Sequence, residues 1–256
     1  MAGSPGPLEL WGGVECTVVR VGDAFRDQIV ETGHDARLDD LDAIARLGIK
    51  AIRYTIVWET VAPDRPDILD FGWHDERLTR LRELGISVIG GLVHHGSGPR
   101  YTSLVDAHFP RLLGEYAGRV AERYPWIEWW TPVNEPLTTA RFAGLYGHWY
   151  PHHRSYRSMT RALVNECLGT VAAMDAIRHV NPGAKLLQTE DLGKTYATET
   201  LDYQARHENE RRWLGLDLLA GRVRPGDKWH DLLVACGIGE NELAGFLDAR
   251  GTPDLI

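Results

Sequence analysis

The segment Trp130-Thr131-Pro132-Val133-Asn134-Glu135-Pro136 sets an amide, a carboxyl and a proline side by side at the end of an apolar run. That combination suits acid catalysis. Cleaving a glycosidic bond needs a carboxylic acid to protonate the departing oxygen, and a second carboxylate about 5–5.5 Å away when stereochemistry is retained. The acid needs a raised pKa, which partial burial supplies. Pro136 biases Glu135 towards an extended backbone, so its carboxyl is expected to stay with the strand. The Asn134 amide can donate to a sugar hydroxyl. The plainer alternative is a strand end with a loop-opening proline and a solvated glutamate.

Other polar residues fall at the ends of apolar runs: Glu15, Arg53, His94, His95, Glu190 and Asp191. Glu15, ending the first strand, is a candidate for the second carboxylate; the plainer readings are a buried carboxylate paired with Arg53 or a ligand for a different substrate. His94 reads as a packing or hydrogen-bonding residue. Glu190 and Asp191 either bind substrate or cap the next element. The stretch 144–153, GLYGHWYPHH, carries Trp149 and Tyr150, aromatic faces suited to a sugar ring. Its adjacent His152 and His153 lack the i, i+4 spacing of helical metal ligands, so no metal and no cofactor are expected.

These residues need a scaffold that brings strand ends together. Apolar runs at 8–14, 49–58, 86–93, 127–133 and 184–189 read as strands. Amphipathic stretches at 38–47, 75–84, 109–124 and 156–180 read as helices between them, and further helices are expected near 203–221, 229–236 and 240–249. Two helix-to-strand junctions, RLGIKAIRY and ELGISVIGG, share the order helix, Leu-Gly-Ile, strand, with glycine as the stop signal. This βαβα pattern belongs to a parallel sheet with crossover helices. An open, doubly wound sheet shares it, but no glycine-rich phosphate turn follows an early strand. A (β/α)₈ TIM barrel gathers polar strand ends at one mouth. Only five strands are visible by residue 189, and Thr252 to Ile256 reads as the opening of a sixth. The chain is therefore expected to hold about the first five βα units, residues 1–256 being the N-terminal part of a single barrel domain.

Composition narrows the partners. The chain has 256 residues and a net charge of −8, without a basic stripe, so nucleic acid is a poor partner. No apolar run reaches the ~18 residues of a membrane span. Residues 1–7 lack the basic and apolar regions of a signal peptide, and a cytoplasmic location is the default expectation. Cys16, Cys167 and Cys236 lie far apart without CxxC spacing, which argues against a disulfide framework or a zinc site.

WTPVNEP resembles the acid/base motif of the family 1 glycoside hydrolases, the β-glucosidase family within the Asn-Glu clan of (β/α)₈ barrels. Leu10-Trp11-Gly12-Gly13 resembles that family's strand-one opening. Arg53-Tyr54-Thr55-Ile56-Val57-Trp58 followed by Ala62-Pro63 resembles its second strand, and Val93-His94-His95 through Pro99 its third. The resemblance implies retaining hydrolysis of β-glycosides, with Glu135 as general acid/base, Asn134 on the 2-hydroxyl, and Arg53 and His95 lining the sugar site. The sequence departs from the pattern where the family carries a glutamine after strand one, near Val19, and a tryptophan after the strand-three histidine, at Gly96. The family's nucleophile ends strand seven, and is expected beyond residue 256.

Two functions compete. One is a retaining β-glycosidase of carbohydrate metabolism, this stretch alone being inactive. The other is a sugar-binding or scaffolding barrel that has lost hydrolysis, in a protein fused to a sugar-nucleotide reductase domain. The sugar, the linkage and the oligomeric state are not encoded legibly.

Overall fold

The computed structural model describes residues 8–256, so the reading of residues 1–7 lies outside the described residues. Five parallel strands form one sheet: β1 (Trp11–Gly13), β4 (Ala51–Thr55), β5 (Ser87–His94), β6 (Trp129–Asn134) and β7 (Lys185–Leu186), hydrogen-bonded in that order. Each expected strand is present, though most are shorter than the apolar run that announced them. The parallel register pairs Arg53 with Gly13 and Ile89, and His94 with Asn134. Beyond β7, Leu187 bridges Leu255 in parallel, and the Gln188 amide donates to the Leu255 carbonyl at 3.0 Å. The expected opening of a sixth strand is therefore in register beside the fifth. This is part of a (β/α)₈ barrel.

A strand pair that the sequence reading did not anticipate follows β1. β2 (Val18–Val21) and β3 (Ala24–Asp27) form an antiparallel hairpin about Gly22-Asp23. The signal was present, since a Gly-Asp pair between two short alternating runs is a hairpin pattern. It is followed by α1 (Gln28–Glu31), whose N-cap Asp27 accepts from the Ile29 amide at 2.9 Å.

The outer layer comprises α2 (Asp39–Arg46), the short α3 (Trp58–Val61), α4 (Gly72–Glu83), α5 (Phe109–Arg123), α6 (Pro136–Ala140), α7 (Tyr156–Val180), α8 (Asp202–Arg211), α9 (Leu214–Leu219), α10 (Lys228–Ala235) and α11 (Glu240–Ala244). The sequence expectation of one helix over 203–221 resolves into α8 and α9. Of the residues expected to close the second strand, Ile56 and Val57 follow β4 without joining it, and Trp58 opens α3. At the two Leu-Gly-Ile junctions, Gly48 and Gly85 take φ 81° and 70°, which glycine adopts freely as it ends a helix. The main core lies between sheet and helices, where Ile52, Leu92, Trp130, Leu113, Val120, Leu163 and Ile177 are buried. β5 is apolar along nearly its whole length because helices and barrel interior cover both its faces. All three cysteines are free. No helix among the described residues is long and apolar enough to cross a membrane.

Candidate active site

Register builds the site. His94 and Asn134 are paired partners on β5 and β6, so His95 and Glu135, the next residues of each strand, emerge side by side at the C-terminal edge of the sheet. Both are left-handed, with φ 54° at His95 and φ 46°, ψ 64° at Glu135. The expectation of extended backbone at Glu135 is corrected here. Pro136 opposes the right-handed region, and the chain escapes by the left-handed one, turning sharply into α6. A non-glycine residue held there costs roughly 1–3 kcal/mol and persists only where its surroundings impose it.

A chain of hydrogen bonds joins four strand ends. The Arg53 Nη1 donates to Asn134 Oδ1, and to Thr189 Oγ1 at 3.1 Å; the Thr189 hydroxyl donates to the same Asn134 oxygen at 2.9 Å. With its oxygen fixed, the Asn134 amide nitrogen lies 3.0 Å from His95 Nε2. An amide nitrogen only donates, so Nε2 accepts and the His95 proton sits on Nδ1, directed at Thr139 Oγ1 3.1 Å away. Burial lowers the His95 pKa, which keeps the ring neutral. Glu135 Oε2 lies 3.7 Å from His95 Nε2. Burial, helped by the charge of Asp191, raises the Glu135 carboxyl above its ordinary value, while Arg53 and the Thr138 hydroxyl restrain the rise.

Glu15 also reaches this mouth but does not bond Arg53. It accepts from the Thr17 hydroxyl at 2.5 Å and lies 3.4 Å from His94 Nε2. The expected Glu15–Arg53 pair is corrected accordingly, and among the described residues no carboxylate lies within ion-pair distance of Arg53. Burial works to raise the Glu15 carboxyl, but the Thr17 hydroxyl and the two histidines outweigh it and hold it below its usual value. His94 is buried and, by desolvation above all, is depressed to about 4. Trp149 arrives from the loop after α6, its ring 5.5 Å from that of His95 and 4.6 Å from Phe142. That loop is tied to the hairpin: the Gly22 amide donates to His152 Nε2 at 2.8 Å, and the Arg20 guanidinium lies 3.8 Å over the Tyr150 ring. His153 Nδ1 faces Ser158 Oγ at 3.0 Å. Neither histidine is turned into a shared cluster.

The two departures noted in the sequence have structural counterparts. Val19 is buried in β2. At Gly96 an added Cβ would meet Glu59 Oε1 at 2.0 Å, so the buried Glu59 carboxyl fills the space where a larger residue would stand. Residues that sequence reasoning missed are Thr189 and Thr139, which orient Asn134 and His95. Glu190, singled out in the sequence as a substrate ligand or a cap of the next element, instead accepts through its Oε2 from the Leu137 amide of the preceding helix α6 at 3.1 Å. Isolated threonines carry no periodic signal, and only the register reveals them.

The fold is that of a glycosidase-type (β/α)₈ barrel, present in part. No protein-family model matches the chain. It is similar to a β-glucosidase of Agrobacterium sp. (strain ATCC 21400), with 27% identity over 157 residues, 56% of this chain and 33% of that protein. Among solved structures it resembles the virulence factor SghA of Agrobacterium tumefaciens in complex with its substrate analogue salicin. The TM-score is 0.73 at 18% identity, covering 87% of this chain and 51% of that one. The family 1 β-glucosidase of Thermotoga maritima matches with a TM-score of 0.72 at 19% identity, over 86% and 52% of the two chains. The chain thus shares the fold of family 1 β-glucosidases as a divergent, partial relative. It spans about half the length of those solved structures and a third of the curated relative.

Proposed function

We propose that this mouth is the acid/base half of a retaining β-glycosidase centre. The observation that carries the reading is the Glu135 carboxyl: half-buried, raised above its ordinary value, and rigidly offered at the strand end beside an amide whose oxygen is already committed. On this reading Glu135 protonates the leaving oxygen and later deprotonates the attacking water. Asn134 keeps one N–H for a sugar hydroxyl after giving the other to His95. Arg53 and His95 hold Asn134, line the sugar site and set its polarity, and Trp149 offers a ring face above them. The nucleophile and the strands that close the barrel are contributed by chain outside these residues. The filled space at Gly96 and the apolar Val19 support a second reading, a sugar-binding barrel without hydrolysis.

The test compares Glu135→Gln with the parent in a version of the protein carrying all eight strands. Loss of an acid slows substrates with poor leaving groups by ~10²-fold or more, and activated aryl glycosides much less. Equal, negligible losses on both would remove Glu135 from the acid role and leave the binding reading.

A further inference from the structure

Behind the mouth lies a second carboxyl that the proposed chemistry does not use. Glu190 follows β7, and its Oε2 accepts from the Leu137 amide at 3.1 Å, across 53 residues of sequence. Leu137 is the second residue of α6. Pro136, the first, has no N–H, so Leu137 carries the first amide of the helix that needs a partner. The usual acceptor for such an amide is the N-cap side chain, but that residue is Glu135, which makes no cap bond to its own helix. Its carboxyl is turned to the mouth instead. Glu190 supplies from another strand what Glu135 does not.

The surroundings are shaped for this. At Gly215 in α9 an added Cβ would lie 3.0 Å from Glu190 Oε2 and 3.6 Å from Pro136 Cγ, so glycine lets α9 close over the contact without displacing the carboxyl. Among the described residues no cation pairs with Glu190, and its Oε1 is buried without a partner. The titratable groups around it are Glu135, Asp191, and Glu166 and Cys167 of α7. Burial first, and then the charge of Glu135, push Glu190 up to about 8, against the Leu137 and Thr138 amides.

Building on the reading of Glu135 as the acid/base group, we propose that Glu190 is its positioning residue: by capping α6 it holds Glu135 in the left-handed conformation that presents its carboxyl to the mouth. The contact needs an acceptor oxygen, not a charge.

Amide hydrogen exchange and carboxyl ¹³C titration of this 256-residue chain test the assignment without any activity. In Glu190→Leu, the Leu137 and Thr138 amides are expected to exchange about tenfold faster while those of α7 stay unchanged. Glu135 should titrate lower, nearer an ordinary carboxylate. Glu190→Gln keeps an acceptor and should restore both readouts. Gly215→Ala, which displaces the carboxyl without removing it, should repeat the Leu signature and serves if Glu190→Leu does not fold. The proposal is overturned by unchanged Leu137 exchange in Glu190→Leu, by a Gln variant as disturbed as the Leu one, or by exchange that rises equally throughout α7. Failure of the glycosidase reading would appear elsewhere, in the activity of Glu135→Gln.

Discussion

Glu59 shows how a single side chain trades stability for shape. It is buried on α3, accepts from the Gly98 amide at 3.0 Å, and fills the space beside Gly96. Desolvation raises its carboxyl to about 8, so it is neutral in the folded protein at pH 7 but ionised in the unfolded chain. A carboxyl whose folded pKa is raised contributes fully below its unfolded value, and that contribution is lost as pH climbs towards the folded one. The penalty therefore grows from about pH 4.5 to about pH 8. Glu59→Gln retains the acceptor for Gly98 and cannot ionise. It should be close to neutral at pH 4.5 and stabilising on the order of 3 kcal/mol at pH 7. Denaturant unfolding of both proteins across this range checks it, and a difference independent of pH would contradict the burial argument. His74 behaves in the opposite sense. It is depressed to about 4 by burial, so its neutral form is favoured above pH 6.5 and stability falls as acid protonates the unfolded chain. Comparing variants at each pH removes that background. At this scale the sequence was informative wherever residues form a contiguous pattern: Arg53, His95, Asn134 and Glu135 all stand at or near strand ends. It was silent on Thr139 and Thr189, and left the role of Glu190 open between substrate binding and capping, because these roles depend on which strand lies beside which. It misdirected at Glu135, because the local proline rule excludes one backbone region without naming the one that replaces it.

Elements were legible in proportion to their periodicity. α7 runs over Tyr156–Val180 as its pattern predicts, since 25 residues of helical spacing leave no rival reading. Its start is fixed chemically by Ser155, an extended N-cap whose Oγ accepts from the Ser158 amide at 3.1 Å. Ser155→Ala should cost about 1 kcal/mol, seen as a lower denaturation midpoint with an unchanged m-value. An unaltered midpoint would mean that packing alone sets the helix start. Strand limits were less legible. The runs at 49–58 and 184–189 are longer than β4 and β7, because apolar residues continue past the last ladder bond into α3 and into the bridge with Leu255. The β2–β3 hairpin is marked in the sequence only by Gly22-Asp23 between two four-residue strands, too short for a strong alternating pattern. It matters for the site: through His152 and Tyr150 it anchors the loop that carries Trp149.

At the scale of the whole molecule, five parallel strands and a sixth just begun bring the carboxyl proposed as acid/base to the mouth, while retention would require a second about 5–5.5 Å from it. The other carboxyls near Glu135 are poorly suited to attack. Glu190 is buried behind α6 and neutral below about pH 8, and a nucleophile must be ionised. Glu15 is ionised, but its oxygen is taken by Thr17 and faces His94. Asp191 is engaged in its own loop, accepting from the Gly193 amide at 2.9 Å. These 256 residues alone should therefore hydrolyse no nitrophenyl β-glycoside above the rate of buffer. An activated leaving group does not rescue the reaction, because what is missing is the nucleophile and not the proton. A version extended to eight strands should turn the same substrates over, and a small nucleophilic anion such as formate or azide added to the short chain should not substitute for the missing carboxylate. Assay of both versions side by side decides the matter. Comparable turnover would place the nucleophile within these residues, with Glu15 and Glu190 the first to replace, and would overturn the division of the site proposed above.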